Sequence, residues 1–332
     1  MRAVQITELS GPESALTLTD DLPDPLPSHF MTPDQGVVVE VEAAGVSFPE
    51  VLQTRGEYQV KPELPFVPGS EVAGTVREAS DDAGVEPGDR VAAFCMLGGF
   101  AELAAAPPHF TFRLPEGLDA AQGAGLILNY HTALFALKLR GRLSEGETVL
   151  VHGGAGGVGT ASIQVANGLG ARTIAVVSSD EKEQVARQAG ADEVVRSDGA
   201  WKDEVKELSG GGGVDVVLDP VGGDRFTDSL RSLGEGGRCV VVGFTGGSIP
   251  EVRVNRLLLN NLEVVGAGWG AYVLSKPEVN REIGAEINRL VEAGFIRPIV
   301  GGRLPLEQAA DALELLDGRG ATGKVVLEVR GD

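Results

Sequence analysis

At 332 residues, with 42% hydrophobic and 23% charged residues, the chain is long enough for two domains and apolar enough for a sizeable core, which sets aside disorder. Its 48 Asp and Glu against 28 Lys and Arg give a formal net charge of −20, so a nucleic-acid backbone or an anionic membrane surface would be repelled, and a bound anion needs local help. Cys95 and Cys239 belong to no CxxC or Cys/His cluster, no run approaches the ~18 apolar residues of a membrane span, and MRAVQITELSGPE holds no signal-peptide core; a disulfide scaffold, a structural zinc site and a membrane protein are disfavoured, and the expected compartment is the cytoplasm.

The first third reads as short strands and turns. GVVVEVEAAGV (36–46) is apolar and β-branched, EVAGTVREAS (71–80) follows, and VEPGDRVAAF (85–94) sets a Pro-Gly-Asp turn ahead of another strand, which together predict a compact β domain. From about residue 120 the pattern alternates. A helix is expected at TALFALKLR (132–140), then strands at TVLVHG (148–153), ARTIAVVS (171–178), VDVVLD (214–219), RCVVVG (238–243) and LEVVGA (262–267). Between them TASIQVANGL (160–169), DEKEQVARQAG (180–190) and GDRFTDSLRSL (223–233) repeat apolar residues at three- and four-residue steps. Near-continuous apolar strands separated by helices predict a parallel sheet covered on both faces. SGGGGV (209–214) reads as a flexible turn before the strand that ends at Asp219, and the closing GKVVLEV (323–329) is expected to rejoin the first domain.

Five glycines fall within the seven residues of GGAGGVG (153–159). Gly154, Gly156 and Gly159 fit G-x-G-x-x-G between a strand and a helix, with Gly157 and Val158 expected beside them at the cofactor. One glycine permits the tight turn, the next lets backbone approach a pyrophosphate, and the third lets helix and strand pack closely. The helix N-terminus then offers amides and a positive dipole end to an anion, the local help that an acidic chain needs. The next strand ends in SSDEK (178–182). Ser178 and Ser179 stand where an NAD site usually carries a carboxylate, and Lys182 and Arg196 are placed to meet a 2′-phosphate, so NADPH is the expected nucleotide.

AAGVSFPEVLQTRGEY (43–58), LPFVPGSEVAGTV (64–76), GVEPGDRVAAF, GGAGGVG and ATGKVVL (321–327) together resemble the medium-chain dehydrogenase/reductase superfamily, in its zinc-free quinone oxidoreductase branch, over almost the whole chain. The resemblance implies an α/β protein with a GroES-like, β-rich catalytic domain from residues 1–122 and 268–332, and a Rossmann NADP(H)-binding domain with a doubly wound parallel sheet from 123–267. It also implies a cleft at their junction and a homodimer; NLEVVGA (261–267) reads as an edge strand that either extends a sheet across a dimer or is simply covered. Zinc-dependent relatives would carry metal ligands at the positions of Ser47 and Ser70 and near Leu128; Glu71 alone cannot supply the three that a catalytic zinc needs, so no metal is expected.

Further roles follow from the resemblance. Thr132 is expected at the nicotinamide carboxamide, with Gly243, Phe244, Thr245, Gly268 and Trp269 lining the cofactor's other side. Tyr58 and Ser47 are the catalytic candidates, as hydrogen-bond donors to an acceptor carbonyl; Phe48, and Tyr130 by its place next to Thr132, are expected in the substrate pocket. Ser47 stands at a position often Asn in the branch and Leu52 at one often Tyr. His131, at a helix start, reads as a cap or surface residue more than a proton donor; His152 is held by its strand, and His29 and His109 have no partner pattern. No GxSxG hydrolase motif occurs. The expected reaction is zinc-independent hydride transfer from NADPH to a small-molecule electron acceptor, a quinone or related conjugated carbonyl. The rivals are an enoyl-thioester or acryloyl-CoA-type reductase, which would need a basic patch such as Arg55, Lys61 and Arg77, and a low-turnover NADPH-binding sensor or structural protein.

Overall fold

The computed structural model describes residues 1–330. It divides into two compact units, Met1–Leu128 with Pro298–Asp332, and Asn129–Arg297.

The first unit is built on a seven-stranded sheet. Its path runs Val300–Pro305, Lys324–Glu328, Val37–Val46, Glu71–Ala79, Arg90–Phe94 and Thr111–Arg113, and Leu103–Ala106 pairs with Val37–Val46 off that path. Val37, Val38 and Val39 are all buried, so this central strand is covered on both faces. One side packs with Val72, Val76 and Val91 and with Leu306, Ala309 and Leu313 of the C-terminal segment. The strand within GKVVLEV does join this unit, antiparallel to Val37–Val46 with Val325 opposite Val46. That register brings the next residues outward, Lys324 and Ser47, side by side.

The second unit holds a six-stranded sheet in the order Glu193–Arg196, Arg172–Val177, Thr148–His152, Val214–Asp219, Leu233–Val241, Glu263–Gly266. Every neighbouring pair is parallel. Numbered by sequence this is 3-2-1-4-5-6, the Rossmann order, whose strand sequence reverses beside Thr148–His152. Leu150, Ile174, Val176, Val195, Val217 and Cys239 fill the sheet, covered by Trp201, Val205, Phe226 and Leu230 from the helices Trp201–Leu208 and Phe226–Ser232. The first of these helices was not anticipated, because WKDEVKEL carries only two fully buried apolar positions.

The boundaries at 123 and 268 need correction. Residues 123–128 pack with the first unit: Leu128 N–H donates to Glu71 Oε2 at 2.9 Å, and a Cβ on Gly45 would lie 2.1 Å from the Ala124 carbonyl oxygen. Residues 268–297 stay with the second. Helix Pro277–Glu292 buries Ile283, Ile287 and Leu290, Leu290 touches the open face of Gly168, and Gln164 holds the Arg297 backbone at both N–H and C=O, 2.9 and 3.0 Å. Mixed composition hid the apolar stripe of this helix from the sequence. No helix among the described residues is long and apolar enough to cross a membrane.

Candidate active site

In the second unit the strand Thr148–His152 feeds directly into the glycine loop. Gly153 takes the left-handed turn, φ +61°, a role the motif would give to Gly154. Gly154 instead donates its N–H to the Val176 carbonyl at 3.1 Å. Gly159 is the close-packing position, since a Cβ there would stand 2.1 Å from the Gly153 oxygen. Gly156 precedes helix Gly157–Gly168 and has an open side: a Cβ would meet nothing nearer than the Gly153 oxygen at 3.5 Å. Thr160 N–H bonds the Gly156 carbonyl at 2.9 Å, so the amides of Gly157, Val158 and Gly159 lie ahead of the first intrahelical bond and point out of the helix end. Open backbone plus three amides fits a pyrophosphate. Buried Asn129, whose Nδ2 would be 2.5 Å from a Cβ on Gly157, borders the loop and was missed in the sequence.

Register places Arg196 beside Val177, which gathers the expected 2′-phosphate residues at adjacent strand ends. Ser179 caps helix Asp180–Gln188, its Oγ accepting from Lys182 N–H at 3.3 Å. Lys182 Nζ donates to Ser178 Oγ at 3.5 Å. Arg196 Nη1 donates to Asp180 Oδ1 at 2.8 Å, while its buried Nε has no hydrogen-bond partner and Asp198 Oδ1 stands 4.0 Å away. A guanidinium nitrogen without a hydrogen bond, at the end of the strand next to the one that leads into Ser178 and Lys182, fits a phosphate. Asp180, which follows the strand end in SSDEK, is a carboxylate already seated on Arg196.

The loop after Leu233–Val241 joins the glycine loop at the carboxyl edge of the sheet. Thr245 bonds the Pro220 carbonyl through both N–H and Oγ1, at 3.2 and 3.1 Å. Gly153 faces Val221, and Phe244 lies against Gly222 at 38% exposure. Gly243 is half-buried beside Pro220, Gly268 precedes helix Trp269–Ser275, and Thr132 opens the short helix Thr132–Leu134. Trp269 and Tyr130 are core residues rather than linings. Trp269 is buried edge-on to His131, ring centroids 5.8 Å apart. Tyr130 is 2% exposed and donates its hydroxyl to Gln164 Oε1 at 2.8 Å, which corrects its expected place in a pocket. His131 stands at the N-cap position of Thr132–Leu134, but its side chain makes no capping hydrogen bond and is not at the surface: it is buried, its Nδ1 lies 2.8 Å from Asn280 Oδ1, and burial pushes its pKa down to about 4. His152 is held by its strand, with Nε2 2.8 Å from Ser229 Oγ and its pKa likewise lowered to about 4 by burial.

The first unit carries a buried polar cluster at the positions where zinc relatives would place ligands. Ser47 precedes helix Phe48–Thr54 and donates its N–H to Glu50 Oε2 at 2.9 Å. Glu50 Oε1 accepts from Ser70 Oγ. Glu71 divides its oxygens between Leu128 N–H and the Lys324 ammonium, and Lys324 Nζ also donates to Ser47 Oγ at 2.7 Å. Glu50 and Glu71 are wholly buried, Lys324 is 4% exposed and Ser47 8%. Burial raises the Glu50 pKa, against the Ser70 hydrogen bond and the Lys324 charge. Half-buried Tyr58 has its phenol pKa raised by burial and by the Glu50 charge, which keeps it a proton-bearing donor. Phe48 packs against the sheet core. Ser47, Ser70, Glu71 and Leu128 thus meet in space. The unforeseen members are Glu50, three residues after Ser47 in a capping box, and Lys324. This donor set does not fit zinc: the described residues hold no group of three or more His, Cys, Asp or Glu suited to a metal, and an ammonium already occupies Glu71 and Ser47.

Residues 33–116 match the model of the alcohol dehydrogenase GroES-like domain, and residues 157–285 that of the zinc-binding dehydrogenases. The chain is 40% identical over 332 residues to quinone oxidoreductase-like protein 2 of Mus musculus, covering 99% of this chain and 92% of that protein. It is 35% identical over 331 residues to the quinone oxidoreductase of Homo sapiens, covering 98% and 97%. A mycobacterial protein solved in complex with NADPH is 35% identical and superposes with a TM-score of 0.89, covering 99% of this chain and 100% of that one.

Proposed function

Because the chain belongs to the medium-chain dehydrogenase/reductase superfamily, in its quinone oxidoreductase branch, we propose that it is a zinc-independent, NADPH-dependent reductase of quinones or related conjugated carbonyls. The observation that carries this reading is the Ser47–Glu71–Lys324 cluster: the place where an alcohol dehydrogenase needs a Lewis acid holds hydroxyls and an ion-paired carboxylate. An acceptor that takes hydride without an alkoxide to stabilise suits such a site.

When bound, NADPH supplies a hydride from its nicotinamide. The amides of Gly157, Val158 and Gly159 hold the pyrophosphate, and Ser178, Lys182 and Arg196 hold the 2′-phosphate. Thr132, Gly243, Phe244, Thr245 and Gly268 are assigned to the rest of the cofactor. Tyr58 and Ser47 donate hydrogen bonds to the acceptor oxygen as negative charge builds there. A thioester of CoA is less well served, because Arg77 is paired with Asp24 at 3.0 Å and Arg55 with Asp317. A second copy of the chain is the proposed partner, placed along the unpaired edge of Glu263–Gly266, near which Leu258 and Leu259 are 77% and 76% exposed. The experiment is NADPH oxidation by the pure protein with a panel of quinones, enones and enoyl thioesters. Selective turnover of a thioester would replace the quinone reading, and tight NADPH binding with no turnover would favour a sensor.

A further inference from the structure

The buried cluster of the first unit turns nearly all its hydrogen bonds inward. Both Glu50 oxygens accept, from Ser70 Oγ and Ser47 N–H. Both Glu71 oxygens accept, from Lys324 Nζ and Leu128 N–H. Ser47 differs: its Oγ accepts from Lys324 Nζ at 2.7 Å, and among the described residues its own proton has no acceptor. Among the side chains of Ser47, Glu50, Ser70, Glu71 and Lys324 it also has the largest exposure, 8%. A hydroxyl that accepts from a cation becomes a stronger donor, because the two hydrogen bonds polarise each other, and more so where water is excluded. The cation cannot wander, since Glu71 anchors it and strand register fixes Lys324 next to Ser47.

We infer that Lys324 is a positioning residue for the reduction: its ammonium, anchored by Glu71, fixes and polarises the Ser47 hydroxyl so that this hydroxyl donates to the acceptor carbonyl. The inference rests on the reductase reading of the site. No proton need leave Ser47; the charge that the acceptor oxygen gains is met by a preorganised donor. It also gives a reason for the buried ion pair, which as a stability device would contribute little over apolar residues of the same size.

A double-mutant cycle tests it. Ser47→Ala is expected to lower kcat about tenfold. The neutral replacement Lys324→Gln with Glu71→Gln, which keeps an N–H beside Ser47 without the charge, is expected to cause a similar loss. Added to Ser47→Ala, that replacement should lower kcat by no more than about twofold further, with NADPH affinity unchanged throughout. Full losses in both backgrounds would mean that Lys324 only holds the fold, and would overturn the inference. If the paired replacement does not fold, Glu71→Gln alone removes the anchor of the ammonium, and Ser47→Ala should cost less there than in the wild type; an undiminished cost overturns the inference. Wild-type protein that binds NADPH but reduces no acceptor overturns the reductase reading and this inference with it, whereas turnover with additive losses overturns the role of Lys324 alone.

Discussion

Gly159 packs against Gly153 so closely that a Cβ on Gly159 would lie 2.1 Å from the Gly153 carbonyl oxygen. Neither backbone can yield without breaking the strand-to-helix turn. Gly159→Ala is therefore expected to cost more than about 3 kcal/mol or to prevent folding. Gly156→Ala makes only an ordinary contact at 3.5 Å, on backbone already extended at φ −83°. It should leave the melting temperature nearly unchanged and weaken NADPH about tenfold or more, because the added methyl stands on the open side proposed for the pyrophosphate. Thermal melts and a fluorescence titration with NADPH separate the two outcomes.

Arg196 is held by Asp180 at 2.8 Å, so a 2′-phosphate must compete with a carboxylate for it. Lys182→Ala and Arg196→Ala are each expected to reduce the preference for NADPH over NADH about tenfold, and Asp180→Asn to increase it. The ratio of kcat/KM for the two nucleotides is the measurement. An unchanged ratio in Lys182→Ala would remove that residue from the site.

His131 and His152 both have folded-state pKa values near 4, lowered from 6.5 by burial. The unfolded chain binds these two protons more readily, so stability is present above the unfolded value and is lost as pH falls from 6.5 towards 4. At about pH 5 each histidine should cost about 2 kcal/mol relative to neutral pH. Urea denaturation at the two pH values checks the loss, and His131→Gln should remove about half of it. Stability independent of pH across this window would contradict the burial of both rings.

The ion pair of the first unit makes an asymmetric prediction. Lys324→Met alone leaves Glu71 charged and wholly buried, and should cost about 3–5 kcal/mol. With Glu71→Gln added, most of that loss should be recovered, as read by denaturant melts.

Five of the six strands in the parallel sheet of the second unit are legible in the sequence as apolar runs bounded by glycine or by charge, as in TVLVHG and VDVVLD; the sixth, Glu193–Arg196, sets only Val194 and Val195 between charges and is not. The glycine loop is legible for the same reason, down to Gly156 and Gly159. What escaped is set by long-range packing. Glycine spacing does not say whether Gly153 or Gly154 makes the left-handed turn. Helix Pro277–Glu292 belongs with the second unit through Leu290 on Gly168 and through Gln164 on Arg297, contacts between residues more than a hundred positions apart. Tyr130 was placed in a pocket by its neighbourhood in sequence, and only its bond to Gln164 shows it as core. The same holds for Lys324: ATGKVVL contains it, but its contact with Ser47 depends on a strand pairing between distant parts of the chain.

A reductase that works without a metal is tested most directly by the oxidation of NADPH with a quinone, using protein dialysed against a chelator and followed through the loss of reduced-nicotinamide absorbance. Turnover is expected to survive chelation and to fall about tenfold in Tyr58→Phe, which removes a hydrogen-bond donor without changing the ring. Activity that disappears on chelation and returns with stoichiometric zinc would contradict it.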